Sequence, residues 1–366
     1  GVEGVNFYNR QQKYADGAQT TSRTSYNTFN FHDIAFQLPL ARRLGLGFSL
    51  TPYSSVGYRV SADEQSDDVW GNIGRVQYLY AGEGDLTEVK LGIGWEVVKR
   101  VSIGVAAQYY WGDIERTYQT VVSNNIVNGG SVNTVTGTDS YGISRIKMQL
   151  GLQADLIQSE RQVLTLGATY DMGGNLRPSV NQTVVNGDIY GTVVRGDTTR
   201  MALKLPVQLG VGLYYQNAKI AAGVDYIYQN WENNESPKSV PGAVNVAYKN
   251  TNTVKLGFEY TPNRMDIRNY LKRWSYRVGF RYGTYYQTFE GKTLSQYAVT
   301  AGFGMPVRFL GRSSIDFGVE FGQRGNDSPL RIDNRQIGLV RQRYVKFSLG
   351  LTLFGEDSWF VRYKYD

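Results

Sequence analysis

Strict alternation of large apolar with glycine or charged residues, turns that sort into a short class and a long class, and a high tyrosine content together predict an all-β fold. The form predicted is an antiparallel transmembrane β-barrel. The alternation is plain in Val89-Lys90-Leu91-Gly92-Ile93-Gly94-Trp95-Glu96-Val97 and again in Val345, Phe347, Leu349, Leu351 and Leu353. A strand built this way has one greasy face and one polar face. In a membrane barrel the greasy face meets lipid and the polar face lines the lumen. The 28 Tyr and 6 Trp suit the two membrane–water boundaries, where amphipathic rings collect.

Taken in order, the first strands are read at 2–13, 24–38 and 44–60, each rich in Tyr, Phe, Thr and Val. Residues 75–80 also alternate. As a separate crossing they would spoil the sorting of the turns, so they belong to a loop hairpin or to the upper part of the strand at 84–98. The strands 101–115, 140–157 and 162–174 follow, with apolar residues at every second position. The series continues with 200–216, 218–231, 250–261, 274–288, 294–307, 312–324 and 339–354, about fourteen strands in all. The connections at 40–43, 99–100, 158–161, 216–217 and 309–311 are short, and 262–273 is the long member of that class. Those at 61–83, 116–139, 175–199, 232–249 and 325–338 are long and polar. Short periplasmic turns alternating with long outer loops are expected of an outer-membrane barrel. A single barrel domain spanning 1–366 is expected.

The polar parity carries Lys90, Glu96, Arg145, Lys147, Asp155, Lys204, Asp225, Lys255, Glu259, Arg277, Arg281, Asp316, Glu320 and Lys346. An Arg or Lys facing lipid near the midplane costs about 2–4 kcal/mol, so this face is luminal. Mixed signs favour an internal ion-pair lattice over a selectivity surface. Luminal glycines, among them Gly94, Gly104, Gly151, Gly212, Gly279, Gly302 and Gly318, leave interior room.

Composition excludes several functions. There is no Cys and only one His, His32, so disulfides, thiolate metal sites and multi-histidine sites are ruled out. His32 reads as a packed or girdle residue. The carboxylates Asp63, Glu64, Asp67 and Asp68 lack calcium-loop spacing and read as a solvated loop, so no metal and no cofactor is expected. Most tryptophans, Trp231 included, read as interfacial anchors. The net charge is +7, but the basic residues form no stripe with stacking aromatics, so no nucleic acid partner is expected. No nucleophile elbow, P-loop or dinucleotide fingerprint occurs, and no enzyme activity is expected. The mean hydropathy of −0.37 suits a barrel, since half of each strand and the loops meet water. No run of 18 apolar residues offers a membrane helix.

Two stretches are more specific: Asn30-Phe31-His32-Asp33-Ile34-Ala35-Phe36-Gln37-Leu38-Pro39-Leu40, and Leu46-Gly47-Phe48-Ser49-Leu50-Thr51-Pro52-Tyr53-Ser54-Ser55-Val56-Gly57-Tyr58. With Gly82-Glu83-Gly84-Asp85, Asp113-Ile114-Glu115-Arg116 and the closing Trp359–Asp366, the chain resembles the FadL/TodX family of outer-membrane hydrophobic-compound transporters, in its Bacteroidota form. The resemblance implies a bacterial outer-membrane barrel for passive uptake of long-chain fatty acids or aromatic hydrocarbons, with outer-membrane lipid and lipopolysaccharide as surroundings. It also implies an N-terminal hatch with an Asn-Pro-Ala element. No such element occurs and Gly1 stands almost at the first strand, so the hatch is expected to be absent from this chain.

By the same resemblance the loops 116–139 and 175–199 form an outer capture groove. Ile126, Val127, Ile189 and Tyr190 are its apolar candidates, and Arg116 and Arg195 are candidate partners for a carboxylate head group. Gly82 and Gly84 are candidates for a strand kink that opens a lateral gap. The competing expectation is a non-transporting accessory or shuttle barrel of an envelope protein secretion or insertion complex, with other envelope proteins as partners.

Overall fold

The computed structural model describes residues 1–15, 18–64, 67–123, 132–187, 192–200, 203–232, 246–307, 313–332 and 335–353. Strands β1 (Val2–Ala15) and β2 (Ala18–Phe31) form a hairpin, and β3 (Ile34–Ala41) continues β2 beyond a break at His32-Asp33. A meander follows: β4 (Leu44–Asp63), the short helix α1 (Asp67–Asn72), β5 (Arg75–Val98), β6 (Val101–Ser123), β7 (Val132–Gln158) and β8 (Gln162–Asp171). The chain then makes β9 (Gly174–Asn175), the hairpin β10 (Ser179–Asn186) and β11 (Thr192–Arg200), and β12 (Lys204–Leu205). The wall resumes with β13 (Val207–Asn217), β14 (Ile220–Asn230), β15 (Val246–Tyr248), β16 (Thr251–Tyr260) and β17 (Ser275–Phe289). It ends with β18 (Lys292–Val307), β19 (Ser313–Arg324), the hairpin β20 (Pro329–Ile332) and β21 (Arg335–Gly338), and β22 (Val340–Thr352).

Every ladder is antiparallel, and the wall curls round until β22 pairs with β1, Leu349 opposite Val2 and Arg341 opposite Arg10. The apolar parity faces outward and stays exposed: Ile146, Leu152 and Val299 are half or more accessible. Such a belt is stable only in lipid. The other parity packs glycine and charge into the lumen.

Strands β5, β6 and β7 run for 24, 23 and 27 residues. About 9–11 tilted residues suffice to cross a bilayer, so these strands rise well above it. This corrects the boundaries read from sequence. Much of 116–139 and 175–199 is wall, not loop: β6 continues to Ser123, and β10 pairs with the upper part of β7, Val180 opposite Tyr141. Their Thr, Val and Tyr content favours strand even outside lipid. Residues 75–80 are the upper part of β5. Pro206, with no N–H to give, separates β12 from β13.

Gly82 and Gly84 lie inside an unbroken ladder, paired with Tyr58 and Val56 on β4 and with Arg116 and Ile114 on β6. Gly84 has φ +120° and Gly112 on β6 has φ +152°. A Cβ at Gly84 would strike the carbonyl oxygen of Asp113, and one at Gly112 that of Asp85. These glycines permit a close approach of two strands. The expected gap is not at this place.

The wall is interrupted elsewhere. Among the described residues β2 pairs only with β1, and β3 only with β4. Above Leu50, β4 pairs with β5 alone, so no ladder joins β2 to the upper half of β4. Nearly every residue of 19–31 and of 52–63 is exposed, whichever face it is on. The local sequence explains the seam. From Thr20 to Thr28 both parities of β2 are mostly Thr, Ser, Asn and Arg, which bury nothing and leave register weakly specified. On β4 the free edge starts at Pro52, beside a bulge that leaves Tyr53 unpaired.

Candidate functional site

The seam opens on a lumen built in tiers. At the top, Arg116 on β6 sits over the Tyr141 ring at 5.4 Å. Tyr248 stands on β15 and Tyr286 on β17. There Trp231 stacks on Tyr286 with ring centroids 4.1 Å apart, and Tyr248 lies 6.3 Å from Trp231. Tyr53, turned inward by its bulge, meets Tyr110 edge-on at 4.8 Å. Beneath this, the buried side chains Leu86, Tyr110, Ile143 and Leu176 form an apolar knot, with Ile114, Leu203 and Leu205 packed against it. Leu176 arrives from the segment after β9, which folds inward. Arg145 Nε donates to the Leu176 carbonyl at 3.1 Å and Lys147 Nζ to that of Asn175 at 3.4 Å.

The middle tier is a polar band. The Asp171 carboxylate accepts from Gln149 at 2.6 Å, Gln208 at 2.9 Å and Gln108 at 3.0 Å. Gln229 donates to Gln208, and Trp231 Nε1 and Thr251 Oγ1 donate to Gln229. Farther round, Arg281 Nη2 reaches Glu320 at 2.8 Å and the Tyr344 hydroxyl at 2.9 Å, and Tyr344 donates to Glu320. Lower still, Arg277 bridges Glu259 at 2.7 Å and Asp316 at 2.5 Å, and Lys346 pairs with Glu3 at 2.9 Å. The luminal charges therefore largely hold one another across strands.

The bottom tier is hollow. Two cavities of about 630 and 870 Å³ share Tyr214, Gly223 and Asp225. The first is walled by Gly257, Gly279, Gly302, Gly318 and Gly350, the second by Gly94, Gly104, Gly151, Gly167 and Gly212. Side chains in those places would fill the space.

The structure places the sequence candidates unevenly. Arg116 faces the lumen among aromatic rings. Only the backbone of Arg195 is described, opposite Val184 in β11. Ile126, Val127, Ile189 and Tyr190 lie outside the described residues, as does the 359–366 stretch. His32 stands at the strand break with Nδ1 3.0 Å from Asp33, half exposed rather than packed. Trp231 is a luminal stacking residue and not a boundary anchor. Sequence reasoning missed Asp171 with its three glutamines, and Tyr53. Gln108, Gln149 and Gln208 each occupy the polar parity of their strand, so the signal was there. Tyr53 escapes it because the bulge at Pro52 resets the alternation.

A barrel with an exposed apolar belt, a polar lumen and a side seam is an outer-membrane protein of the FadL/TodX structural type. A Pseudomonas aeruginosa FadL homologue superposes with a TM-score of 0.61 at 14% identity, covering 96% of this chain and 89% of its own. The Pseudomonas putida toluene transporter TodX gives 0.52 at 14%, covering 95% and 87%. The monoaromatic hydrocarbon channel CymD gives 0.52 at 11%, covering 97% and 89%. No curated protein matches the sequence. The BamG family model matches residues 7–366, and the chain belongs to the BamG family.

Proposed function

We propose that this barrel is a passive outer-membrane channel for hydrophobic small molecules, long-chain fatty acids or aromatic hydrocarbons, which pass sideways through the seam between β2 and β4. The observation that carries the reading is that seam, opening from an aromatic-lined upper lumen at the top of the apolar belt. An apolar solute leaving there avoids the charged band around Asp171, Arg281 and Arg277. On this reading Arg116, beside the Tyr141 ring, takes a carboxylate head group. Ile126, Val127, Ile189, Tyr190 and Arg195 belong to the same reading as the outer capture surface. Gly82 and Gly84 hold β5 against β6 and shape the wall facing the seam. The fold shared with TodX and CymD, a toluene transporter and a hydrocarbon channel, supports this.

The test uses the absence of native cysteine. One Cys on β2 and one on upper β4 are bridged in cells by cleavable thiol cross-linkers of graded length. Uptake of labelled oleate or toluene should fall on bridging and return on cleavage. Unchanged uptake in a fully bridged barrel overturns the route.

A second reading is favoured by the family match and by the two free strand edges: an accessory barrel of an envelope protein insertion or secretion machine. On that reading deletion leaves uptake intact, depletes other outer-membrane proteins, and the barrel co-purifies with a larger complex.

A further inference from the structure

We propose that the outer face of β22, β1 and β2 binds the phosphates of lipopolysaccharide in the outer leaflet. On β22 the outward series Leu351, Leu349, Phe347 and Val345 ends abruptly in Arg343 and Arg341. Cross-strand pairing carries the charge sideways: Arg341 lies opposite Arg10, and Arg10 opposite Arg23. Three arginines thus stand side by side in one row, with Arg343 one step below, opposite Tyr8. Paired residues share a face, so all four point outward.

Like charges directly opposite each other in a sheet are destabilising. Among the described residues the one carboxylate that answers them is Asp327, 3.6 Å from Arg10 and 3.5 Å from Arg341. Arg343 donates to the neutral Gln323 at 3.1 Å. Among the described residues four guanidiniums therefore face one carboxylate, and the arrangement calls for an external anion.

Height selects the anion. At about 3.3 Å per residue, Arg343 and Arg341 lie about 7 and 13 Å beyond Val345 along the strand. Strand tilt of about 40° reduces those rises to about 5 and 10 Å, the zone of lipid head groups and inner-core phosphates. Guanidinium forks suit phosphate oxygens in two-point contact. On β14, β16 and β18 the outward residues Tyr228, Asn252 and Ser295 carry no charge, so the arginine sector does not extend to those strands. That sector ends at β2, one lip of the seam.

The experiment adds rough-type lipopolysaccharide to the detergent-purified protein and measures binding by native mass spectrometry and by the rise in heat-modification temperature. Wild type should bind it, with binding at least about tenfold weaker for dephosphorylated lipopolysaccharide and for a variant with Arg10, Arg23, Arg341 and Arg343 all changed to Gln. If that variant fails to assemble, Arg23→Gln/Arg343→Gln carries the test, since both side chains are exposed and neither pairs with Asp327. Equal binding by a folded variant, equal binding of the dephosphorylated lipid, or equal stabilisation by inorganic phosphate alone overturns the proposal. So does the loss of an acidic protein partner in membranes with lipopolysaccharide binding unchanged, which would assign the row to a protein interface.

Discussion

Two adjacent residues of β7 give opposite responses to the same charge. Leu150 faces outward in mid-belt, 39% exposed, with Val105 opposite it on β6 and Tyr170 opposite it on β8. Leu150→Arg places a guanidinium in lipid, at a cost of about 2–4 kcal/mol near the midplane. At about 1.4 kcal/mol per factor of ten, that lowers the folding equilibrium constant by roughly 30- to 700-fold. Gln149, one residue away, faces the lumen and already donates to Asp171 at 2.6 Å. Gln149→Arg keeps a donor toward that carboxylate and adds an opposite charge, so its effect should stay within about 1 kcal/mol. Reversible urea unfolding in phospholipid vesicles, followed by tryptophan fluorescence and heat-modifiable mobility, measures both. Equal costs, or a larger cost at Gln149, would refute the assignment of lipid and luminal faces.

Three further outcomes are expected. Gly84→Ala and Gly112→Ala each force a side chain into a backbone region that favours glycine and into a facing carbonyl, so each should destabilise by about 1–3 kcal/mol in the same unfolding assay, while Gly94→Ala, which meets nothing, should not. Asp171→Asn turns an acceptor of three amide hydrogen bonds into a mixed donor, and the lowered unfolding midpoint should be largely insensitive to Gln149→Ala, a non-additivity that a double-mutant cycle reads directly. In the turn at 262–273, amide hydrogens of Asn269 and Arg268 hold the Asp266 carboxyl below the ordinary range; its contribution is present above the unfolded pKa near 4 and is lost as pH falls, so protease cutting of this turn should rise on acidification and Asp266→Asn should abolish that dependence.

The wall was legible because lipid and water impose a two-residue period that few other folds sustain. Leu91, Ile93 and Trp95 face outward as their parity demands, and Lys90, Gly92 and Gly94 face inward. The turns were legible for the same reason, as places where the period stops. What could not be read was the height of the strands above the bilayer. Tyr118 to Val122 alternates little, because water lies on both sides of that part of the wall and nothing enforces a face. The seam was invisible for a related reason. A free edge leaves no mark on side-chain alternation, only a loss of it, and the polar run from Thr20 to Thr28 is equally at home in a loop. The glycines at 82 and 84 were conspicuous in sequence, but a glycine serves a close approach as readily as a gap, and only the facing carbonyl of Asp113 decides which. Within the lumen, the ion pairs of Arg277 and Arg281 were implied by mixed charge, whereas the convergence on Asp171 depended on register across four strands.

The pairing of β1 with β22 joins residues 2–11 to 340–349, the two extremes of the described wall. Those partners are the first and the last of the described wall strands, so the barrel closes only when this ladder forms, and until then one more edge of the opening hairpin is bare. During that interval the β1 edge and the β2 edge are both open to any strand that drifts past, and the entropy of closing so large a loop is met only at the final ladder. The finished barrel conceals one of those edges and keeps the other. Its closing ladder and its unpaired edge therefore sit on the two sides of the same hairpin.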